Sequence, residues 1–189
     1  MTTKKLEQLL EAAVETQRVD FKASCPWVAA SFAKDILALS NVQDGGYIII
    51  GVEERDDGSH ERRGVSQVDS DSYALDQMRD DMSAYADPHV DFVLHRVKDR
   101  SELLYVVIEV QPFGEIPVIC RKDTKDTNAG KVYYRNRNRR VESAPVSNSH
   151  DMRDIIERAA VQLMRRLHGL GLATLPTLEQ QLDDELEGM

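Results

Sequence analysis

The sequence predicts an α+β fold, with one mixed domain over residues 1–147 and a helical extension over residues 148–189. Apolar residues recur at helical spacing in several segments, which predicts amphipathic helices. β-Branched runs bounded by turn signals predict strand hairpins in the second half. Because helices and strands are mixed along the chain without an internal repeat, α+β is the expected class.

Composition and charge are those of a globular protein. Of the 189 residues, 41% are hydrophobic and 30% are charged, which is too apolar for a disordered chain and suits one modest core. The longest apolar run, YIIIGV, is too short to span a bilayer, and the N-terminus lacks the features of a secretory signal. The sequence therefore predicts a cytoplasmic protein without a membrane segment.

Several common chemistries find no support in the sequence. Cys25 and Cys120 are far apart and form no CxxC pair, which predicts two reduced, buried thiols. The five histidines form no group with metal-ligand spacing. The chain contains neither GxxxxGK[ST] nor GxGxxG, and no serine or cysteine lies in a nucleophile elbow, so a P-loop, a dinucleotide fold and a hydrolase triad are not supported.

In the first half, the pattern predicts helix, strand, helix and strand in that order. Leucines at helical spacing mark a helix over residues 3–14, and alternating apolar residues mark a strand over residues 18–22. A second helix is expected over residues 26–41, with its proline in the first turn. The turn signal DGG then leads into YIIIGV, which is apolar on both faces and predicts a central strand.

The second half predicts one helix, several strands and a long helix after them. Pro112 and Gly114 break the chain between the longer and the shorter strands. The predicted segments are helix 71–84, strands 90–97, 103–110, 118–120 and 132–135, helix 149–168, and a final amphipathic segment 175–186.

The stretch ETQRVDFK raises the first question about function. On a strand, Val19 and Phe21 point to one side, and the charged side chains of Arg18, Asp20 and Lys22 point to the other. A solvated sheet face is one explanation. The other is a metal site, because a carboxylate can ligate Mg²⁺ or Mn²⁺ while the neighbouring lysine stabilises charge on a phosphate.

Further carboxylates are expected near the same place in the fold. Glu15 stands at the entry to the charged strand, and Glu53 and Glu54 follow the end of YIIIGV. If the two strands are neighbours, these acids and Asp20 converge, and clustered acids repel one another unless a cation neutralises them. The pattern favours a metal site, although glutamates that simply open a solvated loop give the same sequence.

Basic residues are concentrated in one window of an acidic chain. Residues 121–140 contain eight Lys or Arg against two acids, while the whole chain has a net charge of −9. In YYRNRNRR, residues 133–140, alternate arginines share one side of an extended chain and the tyrosines offer stacking surface. Basic runs are usually solvated, but this local excess favours contact with nucleic acid.

Three motifs follow one another from about Glu15 to Ala144. They are ETQRVDFK before a helix, then LSNVQDGGYIIIGVEE, and, after Pro117, VYYRNRNRRVESA. In this order and spacing they resemble the Schlafen-type AlbA-like domain. The resemblance implies a single mixed α/β domain of that type with a C-terminal helical extension. For nuclease members it also implies a three-carboxylate site with a divalent metal that cuts structured RNA such as tRNA.

Carried over by position, the resemblance places the catalytic and metal-ligating carboxylates on Glu15, Asp20 and Glu54, with Lys22 as a further catalytic group and Mg²⁺ or Mn²⁺ as the cofactor. Asp20 and Glu54 exchange Asp and Glu relative to the family pattern, which keeps the charge and changes the reach by one methylene. Contacts to nucleic acid are expected from basic residues and one tyrosine: Arg18, Lys122, Lys131, Tyr134, Arg135, Arg137, Arg139 and Arg140.

The resemblance also bears on assembly. Vertebrate nuclease members use two such lobes and this chain has one, so a homodimer formed through the C-terminal helices is expected. Many bacterial relatives carry a winged helix and are described as regulators or ATP-binding proteins, whereas this chain has neither a P-loop nor the length for a winged helix.

The leading hypothesis from the sequence is a divalent-metal-dependent endoribonuclease acting on tRNA-like RNA. The alternatives are a non-catalytic module that binds RNA or DNA, an ATP-binding regulator of the same family, and a protein-assembly module that uses the acidic tail and the late helices.

Overall fold

The fold is described by a computed structural model for residues 1–11, 15–136 and 141–172. Its helices are α1 (Thr3–Glu11), α2 (Ala29–Ser40), α3 (Gln67–Asp71), α4 (Leu75–Ser83) and α5 (Ser149–Gly169). Its strands are β1 (Val19–Lys22), β2 (Gly46–Ile50), β3 (Val52–Glu54), β4 (His60–Arg62), β5 (Ala86–Asp87), β6 (Phe92–Lys98), β7 (Leu104–Val110), β8 (Ile119–Cys120), β9 (Tyr133–Arg135) and β10 (Ser143–Pro145). The predicted α+β class, with a long helix after the strands, is confirmed.

A four-stranded sheet in the order β1-β2-β7-β6 forms the centre of the fold. β1 runs parallel to β2, whereas β2 and β6 are both antiparallel to β7. A parallel pair needs a crossover connection, and α2 lies in the crossover between β1 and β2. The run YIIIGV therefore begins as an inner strand with a neighbour on each side, as its two-sided apolar character predicts.

Apolar side chains pack on both faces of this sheet. Leu6 and Leu10 of α1 pack against one face, and α2 packs against the other face together with Ile48 and Ile50 of β2. The register places Asp20 beside Ile48 on the neighbouring strand, and Lys22 lies in the same way beside Ile50. Since alternate residues of a strand share a face, the charged pair of β1 lies in the layer between the sheet and α2.

The helix predicted over residues 71–84 corresponds to α4, Leu75–Ser83, and a separate short helix that was not predicted, α3, precedes it at Gln67–Asp71. The break between them is stabilised by Arg96, whose Nη2 donates to the carbonyls of Ser70 at 2.9 Å and Tyr73 at 2.7 Å. These bonds satisfy carbonyl groups that a continuous helix would have used internally. The prediction also placed the start of α2 too early, at Pro26 instead of Ala29.

The longer strands and α5 lie within two residues of their predicted bounds. Three small antiparallel pairs, β3–β4, β5–β8 and β9–β10, complete the strands of the described residues, and their two- or three-residue strands are too short for a periodic signal. The amphipathic segment predicted over residues 175–186 lies outside the described residues.

α5 is attached to the domain mainly through Ile155 and Arg158. Ile155 is buried in the core on the α2 side of the sheet. The Arg158 guanidinium stacks 3.8 Å from the centre of the Phe113 ring and donates to the carbonyls of Val42 and Phe113. Within the described ranges, no helix is long and apolar enough to cross a membrane.

Candidate functional site

The charged side of β1 is buried instead of solvated. Asp20 is only 6% exposed, and Lys22 is partly buried. Side chains from α2 and β9 reach this side of the strand and form ion pairs with both residues. A buried charge is costly unless it is paired, so the partners decide what this cluster can do.

Lys22 joins two aspartates from different parts of the chain. Its Nζ lies 3.1 Å from Asp20 Oδ2 and 2.7 Å from Oδ2 of Asp35, which comes from the buried face of α2. Burial opposes the charge of the ammonium, but the two carboxylates outweigh burial and raise the pKa of Lys22. Lys22 is therefore a fixed cation that links β1 to α2.

Arg135 of β9 is a second buried cation in the same cluster. It is 1% exposed, and its Nη1 donates to Asp20 Oδ1 over 2.7 Å. Its Nη2 lies 3.6 Å from Glu15 Oε2 and donates to the backbone carbonyls of Thr16 at 3.3 Å and Val19 at 3.1 Å. The guanidinium thus connects β9 to the start of β1 through charge-assisted hydrogen bonds.

Glu15 is held at the entry to β1. Its Oε1 accepts a hydrogen bond of 3.1 Å from the Phe21 N–H. Burial raises the pKa of Glu15 and the charge of Asp20 raises it further, while the Phe21 N–H and Arg135 act in the opposite direction. Two carboxylates that disfavour each other's charge are thus gathered around one guanidinium.

Glu54 lies in a different setting. It ends β3 directly opposite His60 of β4, and its side chain is exposed. Its neighbour Glu53 pairs with Arg63 at 2.7 Å. In the part of the chain that the structure describes, no three His, Cys, Asp or Glu residues form a group able to hold a metal ion. The structure therefore brings Glu15 and Asp20 together but does not gather Glu54 with them into such a group.

The oxygen atoms around Asp20 do not fit a divalent ion in this arrangement. Mg²⁺ and Mn²⁺ are hard cations that need several open oxygen ligands. One Asp20 oxygen accepts from Arg135, and the other lies 3.1 Å from the Lys22 ammonium. A metal ion placed here would also be repelled by both of these positive charges at short range.

Two of the predicted nucleic-acid contacts are buried in the structure. Tyr134 is 4% and Arg135 is 1% exposed, and the Tyr134 hydroxyl lies 3.3 Å from Asp154 Oδ2. Neither side chain presents a surface to solvent, because Tyr134 packs in the core on the α2 side of the sheet and Arg135 is paired with Asp20. Alternation along YYRNRNRR places arginines on one side of the chain but does not reveal whether that side faces solvent.

The remaining predicted contacts are exposed or lie outside the described residues. Arg18 is exposed and its Nη1 lies 3.4 Å from Asp44 Oδ2. Lys122 and Lys131 are exposed. The three predicted contacts outside the described residues are Arg137, Arg139 and Arg140.

Lys122 and Lys131 belong to an ordered basic loop, residues 121–131. Its four cationic side chains are all exposed, and among the described residues none of them forms an ion pair with an acid. The sequence prediction named only two of the four. The four cations of the basic loop are Arg121, Lys122, Lys125 and Lys131.

The backbone of the basic loop is held by hydrogen bonds at several points. The Thr127 hydroxyl donates to the Lys122 carbonyl at 3.0 Å and lies 2.8 Å from the Thr124 hydroxyl. The Asn128 N–H donates to the Tyr133 hydroxyl at 2.8 Å. Gly130 has a φ of 77°, a conformation that glycine adopts without strain, and its N–H donates to the Cys120 carbonyl at 2.7 Å. The loop backbone is therefore held by hydrogen bonds within the chain.

Asp35 is the residue of the buried cluster that sequence reasoning missed. It lies three residues after Phe32 and directly before Ile36, within the buried stripe of α2. A carboxylate on the apolar stripe of a predicted helix is a usable signal, because such a group must find a cation inside the fold.

The mixed sheet, the crossover helix and the long helix after the strands form an α+β domain. A family model described as Schlafen, AlbA_2 matches residues 15–144, which is more than half of the chain. The chain therefore belongs to the Schlafen AlbA_2 family, a family associated with nucleic acids.

Two solved structures are similar to this chain at low sequence identity. The DIP2311 protein from Corynebacterium diphtheriae is 18% identical with a TM-score of 0.47, and the match covers 80% of this chain and 28% of that protein. The N-terminal domain of a RecG-related protein from Nitrosomonas europaea is 18% identical with a TM-score of 0.48, and the match covers 79% of this chain and 97% of that domain. No curated protein matches the chain.

Proposed function

We propose that this protein is a nucleic-acid-binding module that contacts the phosphate backbone through its basic loop, residues 121–131. The observation that supports this proposal most directly is the group of four exposed cations on a loop with a fixed backbone. Lysine and arginine side chains are the usual partners of phosphate oxygens. The arginines at positions 137, 139 and 140 extend the same basic window along the sequence.

The physical case rests on how the charges are distributed. The whole chain is acidic, with a net charge of −9, so a polyanion is repelled by most of its surface. A loop whose cations have no acidic partner among the described residues can release counterions from the nucleic acid on binding. An ordered loop also loses little conformational entropy when it binds.

The proposal is tested by tRNA and duplex DNA binding over a range of salt concentrations. The test variant carries Arg121→Gln, Lys122→Gln, Lys125→Gln and Lys131→Gln. Its control carries Lys4→Gln, Arg79→Gln, Arg100→Gln and Arg153→Gln, four exposed cations elsewhere, and so has the same net charge.

The loop variant is expected to lose at least about tenfold in affinity and to flatten the plot of log K against log salt by about 0.7 to 0.9 per lost phosphate contact. The control variant is expected to keep the slope of the wild type. Equal losses in the two variants would show that only total charge matters and would reject the basic loop as the binding surface. The relative affinities for tRNA and DNA identify the preferred nucleic acid.

A second candidate function is a divalent-metal-dependent endoribonuclease acting on structured RNA such as tRNA. It is supported by family membership and by the proximity of Glu15 and Asp20, which lie around one guanidinium with Lys22 beside them. Glu54 would have to join these carboxylates for a three-carboxylate site holding Mg²⁺ or Mn²⁺. In such a site the metal activates the attacking water or stabilises the leaving oxygen.

This second candidate is tested by incubating tRNA with the protein in Mn²⁺, Mg²⁺ or EDTA. Glu15→Gln and Glu54→Gln are better variants than Asp20→Ala, because removing Asp20 takes one carboxylate partner from each of two cations inside the fold. Metal-dependent cleavage that both variants abolish, and that the exposed Glu11→Gln control retains, would establish the nuclease. Intact tRNA in every reaction would exclude it.

We also propose that the protein forms a homodimer through α5. An apolar row on this helix comprises Ile156, Ala160, Leu163 and Leu167, and steps of four, three and four residues separate its members. Such alternating steps form the seam of a coiled coil. Ile156 is 58% and Leu163 is 50% exposed, so the row has room for a partner helix. A second copy of α5 offers the same row across a twofold axis.

A further inference from the structure

The buried charges around Asp20 form an ion-pair network within the described residues, in which Asp20 Oδ2 and Arg135 Nε have no hydrogen-bond partner. Asp20 and Asp35 supply two negative charges, and Lys22 and Arg135 supply two positive charges. Glu15 stands at the rim of this group, where its side chain is 30% exposed and lies 3.6 Å from Arg135. The four inner charges therefore balance without any added ion.

We propose that Arg135 is the permanent counter-cation of Glu15 and Asp20, so that this acidic pair is an ion-pair lock between β1 and β9 that is closed to divalent metal. The ion-pair lock comprises Glu15, Asp20, Lys22, Asp35 and Arg135. In this lock the guanidinium stands where a metal ion would otherwise neutralise the carboxylates. The inference is independent of whether the basic loop binds nucleic acid, and it opposes the nuclease candidate.

The hydrogen bonds of Arg135 explain why a metal ion would not displace it. Nη1 donates to Asp20 Oδ1 at 2.7 Å, and Nη2 donates to the carbonyls of Thr16 and Val19. A guanidinium that moved aside would give up its bonds to both carbonyls, which would keep only the backbone hydrogen bonds of the bridge between Thr16 and Val19. Its own charge would then lie in the apolar interior, since Arg135 is 1% exposed.

The backbone on either side of the guanidinium is also fixed. The Arg135 carbonyl accepts from Gln17 Nε2 at 2.9 Å. The backbone and the side chain of Arg135 therefore both bond to the segment of residues 16–19. β9 pairs with β10 in the register Arg135 to Ser143, and the Ser143 hydroxyl lies 3.4 Å from Nη1. Arg135 is therefore a positioning residue for the β9–β10 hairpin, whose intervening sequence contains the arginines at positions 137, 139 and 140.

The first test measures Mn²⁺ binding to the full chain by the electron paramagnetic resonance signal of free Mn²⁺. Wild type, Glu15→Gln and the exposed control Glu11→Gln are compared. The ion-pair lock predicts that Glu15→Gln binds as much Mn²⁺ as the wild type. The proposal would be overturned if the wild type binds Mn²⁺ and Glu15→Gln binds it at least tenfold more weakly.

The second test removes the internal cation with Arg135→Gln. We expect a lower Tm for this variant and a rise in that Tm on addition of Mn²⁺, because the freed carboxylates then accept a metal ion. The rise should be absent from the wild type and from the double variant Arg135→Gln with Glu15→Gln. An equal rise in wild type and Arg135→Gln would overturn the proposal. If Arg135→Gln does not fold, the Mn²⁺ comparison of wild type with Glu15→Gln decides the question alone.

Discussion

Asp20 is the carboxylate that pairs with both cations of the buried cluster. It is 6% exposed and pairs with Arg135 at 2.7 Å and with Lys22 at 3.1 Å. Replacing it by asparagine keeps the volume but leaves Lys22 with only Asp35, and Arg135 with only the more distant Glu15, as a carboxylate partner. Breaking a buried pair in this way costs far more than breaking an exposed one, because the remaining charge stays desolvated.

We therefore expect Asp20→Asn to lower the free energy of unfolding by about 3 to 5 kcal/mol. The exposed pair of Arg18 and Asp44 provides the control, and Asp44→Asn should cost about 1 kcal/mol or less. Urea denaturation of both variants measures the difference. Similar small losses in both would mean that the buried network contributes little to stability.

Glu7 gives a prediction about pH. Its carboxylate accepts from the Arg100 N–H at 2.8 Å and from Arg62 at 2.9 Å, which ties α1 to β4 and to the turn between β6 and β7. The Arg100 N–H lowers the pKa of Glu7 below 4.5, burial opposes this, and the Arg62 guanidinium lowers the pKa further. A lowered carboxyl pKa stabilises the fold above the unfolded value and loses that effect as pH falls through the folded value.

The difference in unfolding free energy between wild type and Glu7→Gln should therefore be constant above about pH 5.5 and should narrow steadily below pH 4.5. Thermal or urea unfolding at intervals from pH 3 to pH 7 measures it. A difference that stays unchanged down to pH 3 would show that the Glu7 carboxylate is not the source of the stabilisation.

Arg158 is one of the residues that attach α5 to the rest of the domain. Burial lowers the pKa of Arg158 to about 10, which still leaves the guanidinium charged at neutral pH. The guanidinium stacks on the Phe113 ring and donates to the backbone carbonyls of Val42 and Phe113. α5 is thereby joined to the end of α2 and to the stretch after β7.

Arg158→Met retains the aliphatic stem but removes these hydrogen bonds and the charge. We expect a loss of about 1 to 3 kcal/mol and faster amide hydrogen exchange along α5. Arg165→Met, an exposed cation on the same helix, is the matched control and should leave the exchange rates near those of wild type. Unchanged exchange in Arg158→Met would place the attachment of α5 elsewhere, at Ile155 and its apolar neighbours.

The sequence predicted those strands and helices whose hydrophobic pattern runs over many consecutive residues. YIIIGV reveals an inner strand because both of its faces are apolar, and the leucines of α1 reveal a helix with one buried stripe. The break between α3 and α4 was not predictable in this way, because it depends on Arg96 reaching carbonyls more than twenty residues away. Short strands such as β5 and β8 form only when the rest of the fold brings them together.

The candidate site was predicted in part for the same reason. The alternation of side chains along a strand correctly placed Asp20 and Lys22, which are two residues apart, on one side of β1. The register confirmed that β1 and β2 are neighbours. The burial of Arg135 depends on a partner 115 residues away, and no local pattern carries that information. An arginine between tyrosines and asparagines has the same appearance whether it faces a phosphate or a buried carboxylate.

The distribution of apolar surface gives a prediction for the whole chain. We expect the wild type to sediment as a dimer at micromolar concentration, and Ile156→Glu with Leu163→Glu to shift it to a monomer. Val68→Glu with Ile116→Glu replaces exposed apolar residues elsewhere, at 82% and 59% exposure, and should leave the dimer intact. A wild type that stays monomeric across the concentration range would rule out the α5 homodimer.

The pairing of Asp20 with Arg135 has a consequence for the order in which parts of the fold form during synthesis. A ribosome releases β1 well before it releases β9, and 115 residues separate the two partners. Until Arg135 emerges, Asp20 has only Lys22 as a counter-charge, and Lys22 is shared with Asp35. Closing so long a loop also costs conformational entropy, which is offset only when Arg135 forms its contacts. We therefore expect the β1 edge of the sheet to remain open during synthesis and to close last, when β9 arrives.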